Sequence, residues 1–160
     1  MLIKKHALAV FAVGLLAFAA AGPASAGGLR LTSAEASLLR AVNETRAAHG
    51  LAPVHVDAAL ERAARAHSAE MLRGNFFAHG SVFARLASFH VSGPVLGENL
   101  AWGTGSYSTA SGIVAAWLAS PEHRANLLRP GFTRIGIAAP QGTFLGNGGA
   151  TVATADFAGR

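Results

Sequence analysis

Ser120-Pro121-Glu122-His123-Arg124-Ala125-Asn126-Leu127-Leu128 is a helix start spelled out in residue types. Ser120 is the N-cap, Pro121 takes the first helical position, and Glu122 falls in the first turn, where the helix dipole favours an anion. That start fixes the direction of His123, one residue further on. Two earlier pieces look built to meet it: Phe76-Phe77-Ala78-His79-Gly80 and Gly97-Glu98-Asn99-Leu100-Ala101. The rest of the chain is scaffold for His79, Glu98 and His123.

Working outward, the Ser120 helix is short and is closed by Pro130-Gly131. Before it, Thr109 or Ser111 starts a helix in which Ile113 pairs with Trp117 and Val114 with Leu118. Further back, Thr32-Ser33-Ala34-Glu35 is a capping box that opens a helix to about His49, stopped by Gly50. Asp57 caps a second helix that ends near Gly74, with Leu60, Ala64, His67 and Met71 along one stripe. Leu51 to Val54 connects the two. Ser81 is placed to cap a short helix through Ser88, and Val95 to Trp102 is a buried segment interrupted by polar residues.

The C-terminal part changes character. Phe132 to Ala139 alternates as a strand does, and Thr143 to Leu145 and Thr151 to Phe157 are two further strands joined through Gly146-Asn147-Gly148-Gly149. Helices come first and a small antiparallel sheet last, so the class is α+β and layered.

With 160 residues there is room for one domain with a proper core. Hydrophobic residues make up 51%, partly because of an expected export signal over residues 1–26. Lys4 and Lys5 are its positive start, Ala7 to Ala21 its apolar run, and Ala24-Ser25-Ala26 its cleavage site. The run is short for a bilayer span. The expected organisation is thus a signal peptide (1–26), a short linker (27–33) and one domain (34–158), secreted or periplasmic and monomeric, with no stable membrane span after cleavage. Without Lys4 and Lys5 the chain keeps 11 arginines against 8 acidic residues. These are scattered singly, which argues against a nucleic-acid surface. There is no cysteine, so thiolate zinc sites and thiol nucleophiles are excluded and the core alone holds the domain together.

His79, Glu98 and His123 are the candidate catalytic or metal-binding set. Two neutral imidazoles and a carboxylate match the ligand count of an open zinc site. The same trio can run acid–base chemistry, with Glu98 orienting one imidazole. Spacing announces neither: there is no His-Glu-x-x-His, and 44 positions separate the two histidines. From spacing alone, each histidine reads as a satisfied polar group at a loop or helix end. No serine lies in Gly-x-Ser-x-Gly, and neither Gly97-Glu98-Asn99 nor Gly103-Thr104-Gly105 is a phosphate loop. His67 sits at core spacing, and His49 is explained by a helix C-terminus.

Four landmarks occur in order: Val42-Asn43-Glu44-Thr45-Arg46, Phe77-Ala78-His79, Gly97-Glu98-Asn99-Leu100-Ala101, and Trp117 through Leu128. Together they resemble the CAP superfamily, the secreted domains named for cysteine-rich secretory, antigen 5 and pathogenesis-related proteins, and most of all its short bacterial branch. The resemblance covers about Ala34 to Phe157. It implies a three-layer α-β-α sandwich with a small, mainly antiparallel sheet and a surface cleft of two histidines and two glutamates, the histidines able to bind a divalent, zinc-like metal. On this chain the histidines are His79 and His123, and one glutamate is Glu98. The second glutamate has no match, since Ser120 stands in its place, and the family's disulfides are missing. Members are linked to lipid or sterol binding, protein interaction, defence and proteolysis. The resemblance therefore implies a secreted binding module with a protein or lipid partner and a metal in its cleft, with no other cofactor. The alternatives are a metal-dependent, peptidase-like hydrolase with Glu98 as base, and an apolar-ligand carrier.

Overall fold

The computed structural model describes residues 29–159. The expected export signal and cleavage site lie outside the described residues. The helices are α1 (Ser33–Ala48), α2 (Ala58–Gly74), α3 (Val82–Ser88), α4 (Ala110–Ala119) and α5 (Pro121–Leu127). The strands are β1 (His55–Val56), β2 (Leu96–Gly103), β3 (Phe132–Ala138), β4 (Gln141–Phe144) and β5 (Asn147–Gly159).

Local chemistry starts the long helices where the residue types say it should. In α1, Glu35 N–H donates to Thr32 Oγ1 at 3.2 Å and Thr32 N–H donates back to Glu35 Oε2 at 2.7 Å, the two halves of a capping box. Asp57 Oδ1 accepts from Ala59 and Leu60 N–H at the head of α2. Thr109 accepts from Gly112 N–H and starts α4. Ser120 differs from expectation. Its backbone has the extended N-cap conformation, but its side chain makes no capping hydrogen bond, so Pro121 and the Arg124 N–H to Ser120 carbonyl bond of 2.8 Å define the turn. Ser81 likewise heads α3 without a side-chain bond.

The sheet runs β1-β3-β5-β2, with β4 also on β5. All pairings are antiparallel except β1 with β3, so the sheet is mixed rather than wholly antiparallel. Two strand boundaries move. β4 begins earlier than Thr143, and β5 runs back through the glycines to Asn147, because Gly142 and Phe144 pair with Ala150 and Asn147. Part of the expected connector is continued by β1, a two-residue strand that only its long-range pairing with Arg134 and Ile135 defines.

Alternation along the strands sorts side chains into two layers. Ala153, Ala155 and Phe157 of β5 pack with Leu38 and Val42 of α1, Ile113, Val114 and Trp117 of α4, and Leu127 of α5. On the opposite face Ala158 joins Leu60 and Ala63 of α2 and Leu86 of α3, and Leu100 and Val152 join Met71. The result is the α-β-α sandwich. Gly136 lets the layers close: a Cβ there would stand 2.0 Å from the Leu60 carbonyl carbon, so α2 backbone lies directly on β3. Arg46 is fully buried and has no carboxylate partner among the described residues. It donates instead to the carbonyls of Ala52, Leu127, Arg129 and Phe132. The end of α1 is thereby tied to the end of α5, the helix that carries His123.

Candidate functional site

β2 is an edge strand, and the site lies across it. Glu98 points with Leu100 toward the α2/α3 layer. Asn99 points the other way, toward α5, where its Nδ2 donates to the His123 carbonyl at 2.8 Å. Asn126 of α5 returns the tie, donating to the Glu98 carbonyl at 3.0 Å and to Asn99 Oδ1 at 3.1 Å. Gly97 makes room for this approach, since a Cβ there would lie 2.8 Å from the Phe132 ring and 3.0 Å from Asn126 Oδ1. His123 therefore arrives from one layer and His79, on the loop after α2, from the other. Their ring centroids are 6.2 Å apart with a tilt of 41°.

Glu98 is the buried hinge of the pair. Its side chain is 1% exposed, whereas that of His79 is 51% exposed. His79 Nδ1 lies 2.6 Å from Glu98 Oε1. A carboxylate only accepts, so Nδ1 carries the hydrogen, and in the neutral ring the lone pair is on Nε2. Oε2 is taken by Arg85 Nη2, and Arg85 Nη1 also donates to the His79 carbonyl at 3.1 Å. Burial, the largest influence, pushes the Glu98 carboxyl up to about 7 against the pull of the Arg85 charge. Burial and then the nearby His79 hold His123 below the usual imidazole value, which keeps it neutral and able to donate a lone pair.

The structure thus brings all three predicted residues together, and it turns Glu98 inward. Both its oxygens are engaged, so it orients His79 and is not a free base facing the cleft. Three residues that the sequence reading leaves out complete the arrangement: Arg85, Asp156 and Asn126. Arg85 carries a weak signal as the single charge of a short helix directly after His79. Asp156 carries one as the single charged residue of the last strand. His67 is buried as expected, yet it also serves the site. Its Nε2–H donates to the Ala78 carbonyl at 3.0 Å, bracing the residue before His79, and it lies 3.9 Å from Glu98 Oε2. Trp117 is a core anchor whose Nε1–H donates to the Leu100 carbonyl. Trp102 packs edge-on against Phe144.

Beside His79 the surface is apolar. Phe76 and Phe77 are 37% and 41% exposed, and Leu145, at the β4–β5 tip, is 43% exposed. The tip and the loop are joined, since Leu145 N–H donates to Asn75 Oδ1 and Phe77 meets Phe144 edge-on at 6.5 Å. A separate hollow of about 370 Å³ between Thr32, Glu35, Arg65 and Pro140 contains none of the three site residues.

The donor set was tested against a divalent metal. Two imidazole rings lie close together, and one has its Nδ1 fixed by a carboxylate, as ligating histidines commonly do. That fits a metal held by His79 and His123. Among the described residues no group of three or more histidine, cysteine, aspartate or glutamate side chains converges as a ready cage, so the protein offers two nitrogens.

A family model for the cysteine-rich secretory protein family, CAP, matches residues 39–157, and the chain belongs to that family. It is 38% identical over 108 residues to the uncharacterized protein YkwD of Bacillus subtilis strain 168, a match that takes in 64% of this chain and 41% of that protein. The chain thus spans well under half of that relative's length. An extracellular SCP-domain protein of Bacillus anthracis superposes with a TM-score of 0.65 at 25% identity, covering 82% of this chain and 45% of that one. An outer surface protein of Borrelia burgdorferi gives a TM-score of 0.65 at 21% identity over 77% of this chain and 90% of that one, a likeness of fold. These neighbours are extracellular or outer-surface proteins. Among the described residues no helix is long and apolar enough to cross a membrane.

Proposed function

We propose that this chain is an exported CAP-domain binding module whose cleft takes a divalent transition metal through His79 and His123. One observation carries the reading: Glu98 fixes the Nδ1–H of His79 at 2.6 Å, which leaves a bare Nε2 on an exposed ring beside a second, neutral imidazole. A bound metal would supply a Lewis-acid centre open to a partner's carboxylate or carbonyl. This chain's own residues bind and orient it. Glu98 and Arg85 fix the His79 ring, Asn99 and Asn126 fix α5, and His67 braces the loop. The engaged oxygens of Glu98 favour binding over hydrolysis, because the family's second glutamate is replaced by Ser120.

A partner with an apolar part, protein or lipid, is supported by the exposed Phe76, Phe77 and Leu145 next to His79. A titration with zinc, followed by the imidazole ¹⁵N resonances, tests the metal reading. His79 and His123 are expected to shift together while His49 and His55 stay put. Equal shifts at all histidines, or none at the pair, would overturn it.

A further inference from the structure

Asp156 completes the site from beneath, behind Glu98. It is the cross-strand partner of Glu98 on β2 and of Gly136 on β3, and it is fully buried. Neither of its oxygens accepts a hydrogen bond from a donor among the described residues. The charged and titratable groups facing it are few. Glu98 comes from β2, His79 from the loop after α2, and Arg85 from α3, whose Nη2 stands 3.8 Å from Asp156 Oδ1. From α2 comes His67, 3.9 Å from Glu98. It is kept neutral by burial, with its Nε2–H spent on Ala78.

If both acids are ionised, Asp156 is left as a buried anion with no donor of its own. Arg85 is the cation within reach, and its terminal nitrogens are committed to Glu98 and to the His79 carbonyl. Its Nε–H finds no acceptor, so the guanidinium is not turned onto Asp156. A fully buried carboxylate without a donor is strongly disfavoured. Two ionised carboxyls side by side are both acceptors and cannot satisfy each other. One proton makes them donor and acceptor.

We propose that Asp156 is a neutral acid in the folded domain that donates its O–H to Glu98, a positioning residue that keeps Glu98 the single anion shared by His79 and Arg85. Burial first, and then the charge of Glu98, raise the Asp156 carboxyl well above its ordinary value. Because the folded value lies above the unfolded one, the stabilising contribution is complete below about pH 4 and is lost as pH rises toward the folded value. The proposal rests on the Glu98 geometry and holds whether or not metal binds.

The test is a ¹³C NMR pH titration of the aspartate side-chain carboxyls of the metal-free domain, with Asp156 assigned through the backbone. Asp156 is expected to keep the shift of a protonated acid well above about pH 4, where Asp57 has already ionised. Asp156→Asn, which keeps a neutral donor, is expected to hold the wild-type melting temperature near pH 6 and to flatten its fall toward higher pH. Asp156→Ala is expected to lower the melting temperature at both. An Asp156 carbon that titrates together with Asp57 would overturn the proposal. So would an Asp156→Asn domain as destabilised near pH 6 as Asp156→Ala. If neither variant folds, the wild-type titration still decides.

Discussion

His79 Nδ1 and Glu98 Oε1 stand 2.6 Å apart, and the bond joins a half-exposed ring to a carboxylate that solvent barely reaches. It crosses from the loop after α2 to an edge strand, so it depends on the tertiary fold and on nothing local. The geometry also sets the division of labour. Glu98 holds, and the two imidazole rings face outward.

Glu98→Gln removes the carboxylate hydrogen-bonded to Arg85 and leaves a guanidinium that is 13% exposed without that counter-charge. Breaking a buried pair from one side costs about 3–5 kcal/mol, and the partial exposure of Arg85 places the expected loss near the lower end. Urea denaturation near neutral pH measures it. A loss below about 1 kcal/mol would mean that Arg85 finds another partner, Asp156 being the nearest.

Ser120→Ala is expected to leave stability nearly unchanged, within about 0.5 kcal/mol, because the Ser120 side chain makes no capping bond. Asp57→Ala should cost about 1 kcal/mol or more, since Asp57 caps two N–H groups and pairs with Arg134 at 3.0 Å. Thermal melts of the two variants side by side check the contrast. A larger loss at Ser120 would restore the side-chain cap that its residue type suggests.

Much of this fold is legible in the sequence wherever the cause is local. Thr32 and Glu35 cap each other three residues apart, and Asp57 caps its own helix, so α1 and α2 can be placed from residue types. β1 cannot, because His55–Val56 is a strand only through Arg134 and Ile135, almost 80 positions on. β2 is recognisable as buried but not as an edge, since polar Glu98 and Asn99 face opposite layers and break the alternation. The trio is visible because each member sits in a distinctive landmark. Arg85 and Asp156 carry only the weak signal of a lone charge in an uncharged element, because their partners come from across the sheet.

Gly97→Ala places a methyl group against Phe132 and Asn126 and should push α5 off β2. A melting-temperature drop is expected together with weaker metal binding, because His123 rides on that helix. Ala101→Gly, further along β2, is the control: it lowers stability without moving α5. If Gly97→Ala weakens stability alone and leaves the metal titration intact, the Asn99–Asn126 tie does not set the position of His123.

Calorimetric titration of zinc into the metal-free domain, wild type and the His79→Ala and His123→Ala variants, tests metal binding in the cleft most directly. One site of modest affinity is expected in the wild type, weakening as pH falls through about 6.5 because protons compete for the imidazoles. His123, held below that value by burial, keeps its lone pair available further into acid. Each alanine variant should lose most of the binding while melting like a folded domain. Zinc that fails to bind the wild type, or binds both variants as tightly, would contradict the metal site and leave His79, Glu98 and His123 as a structural network.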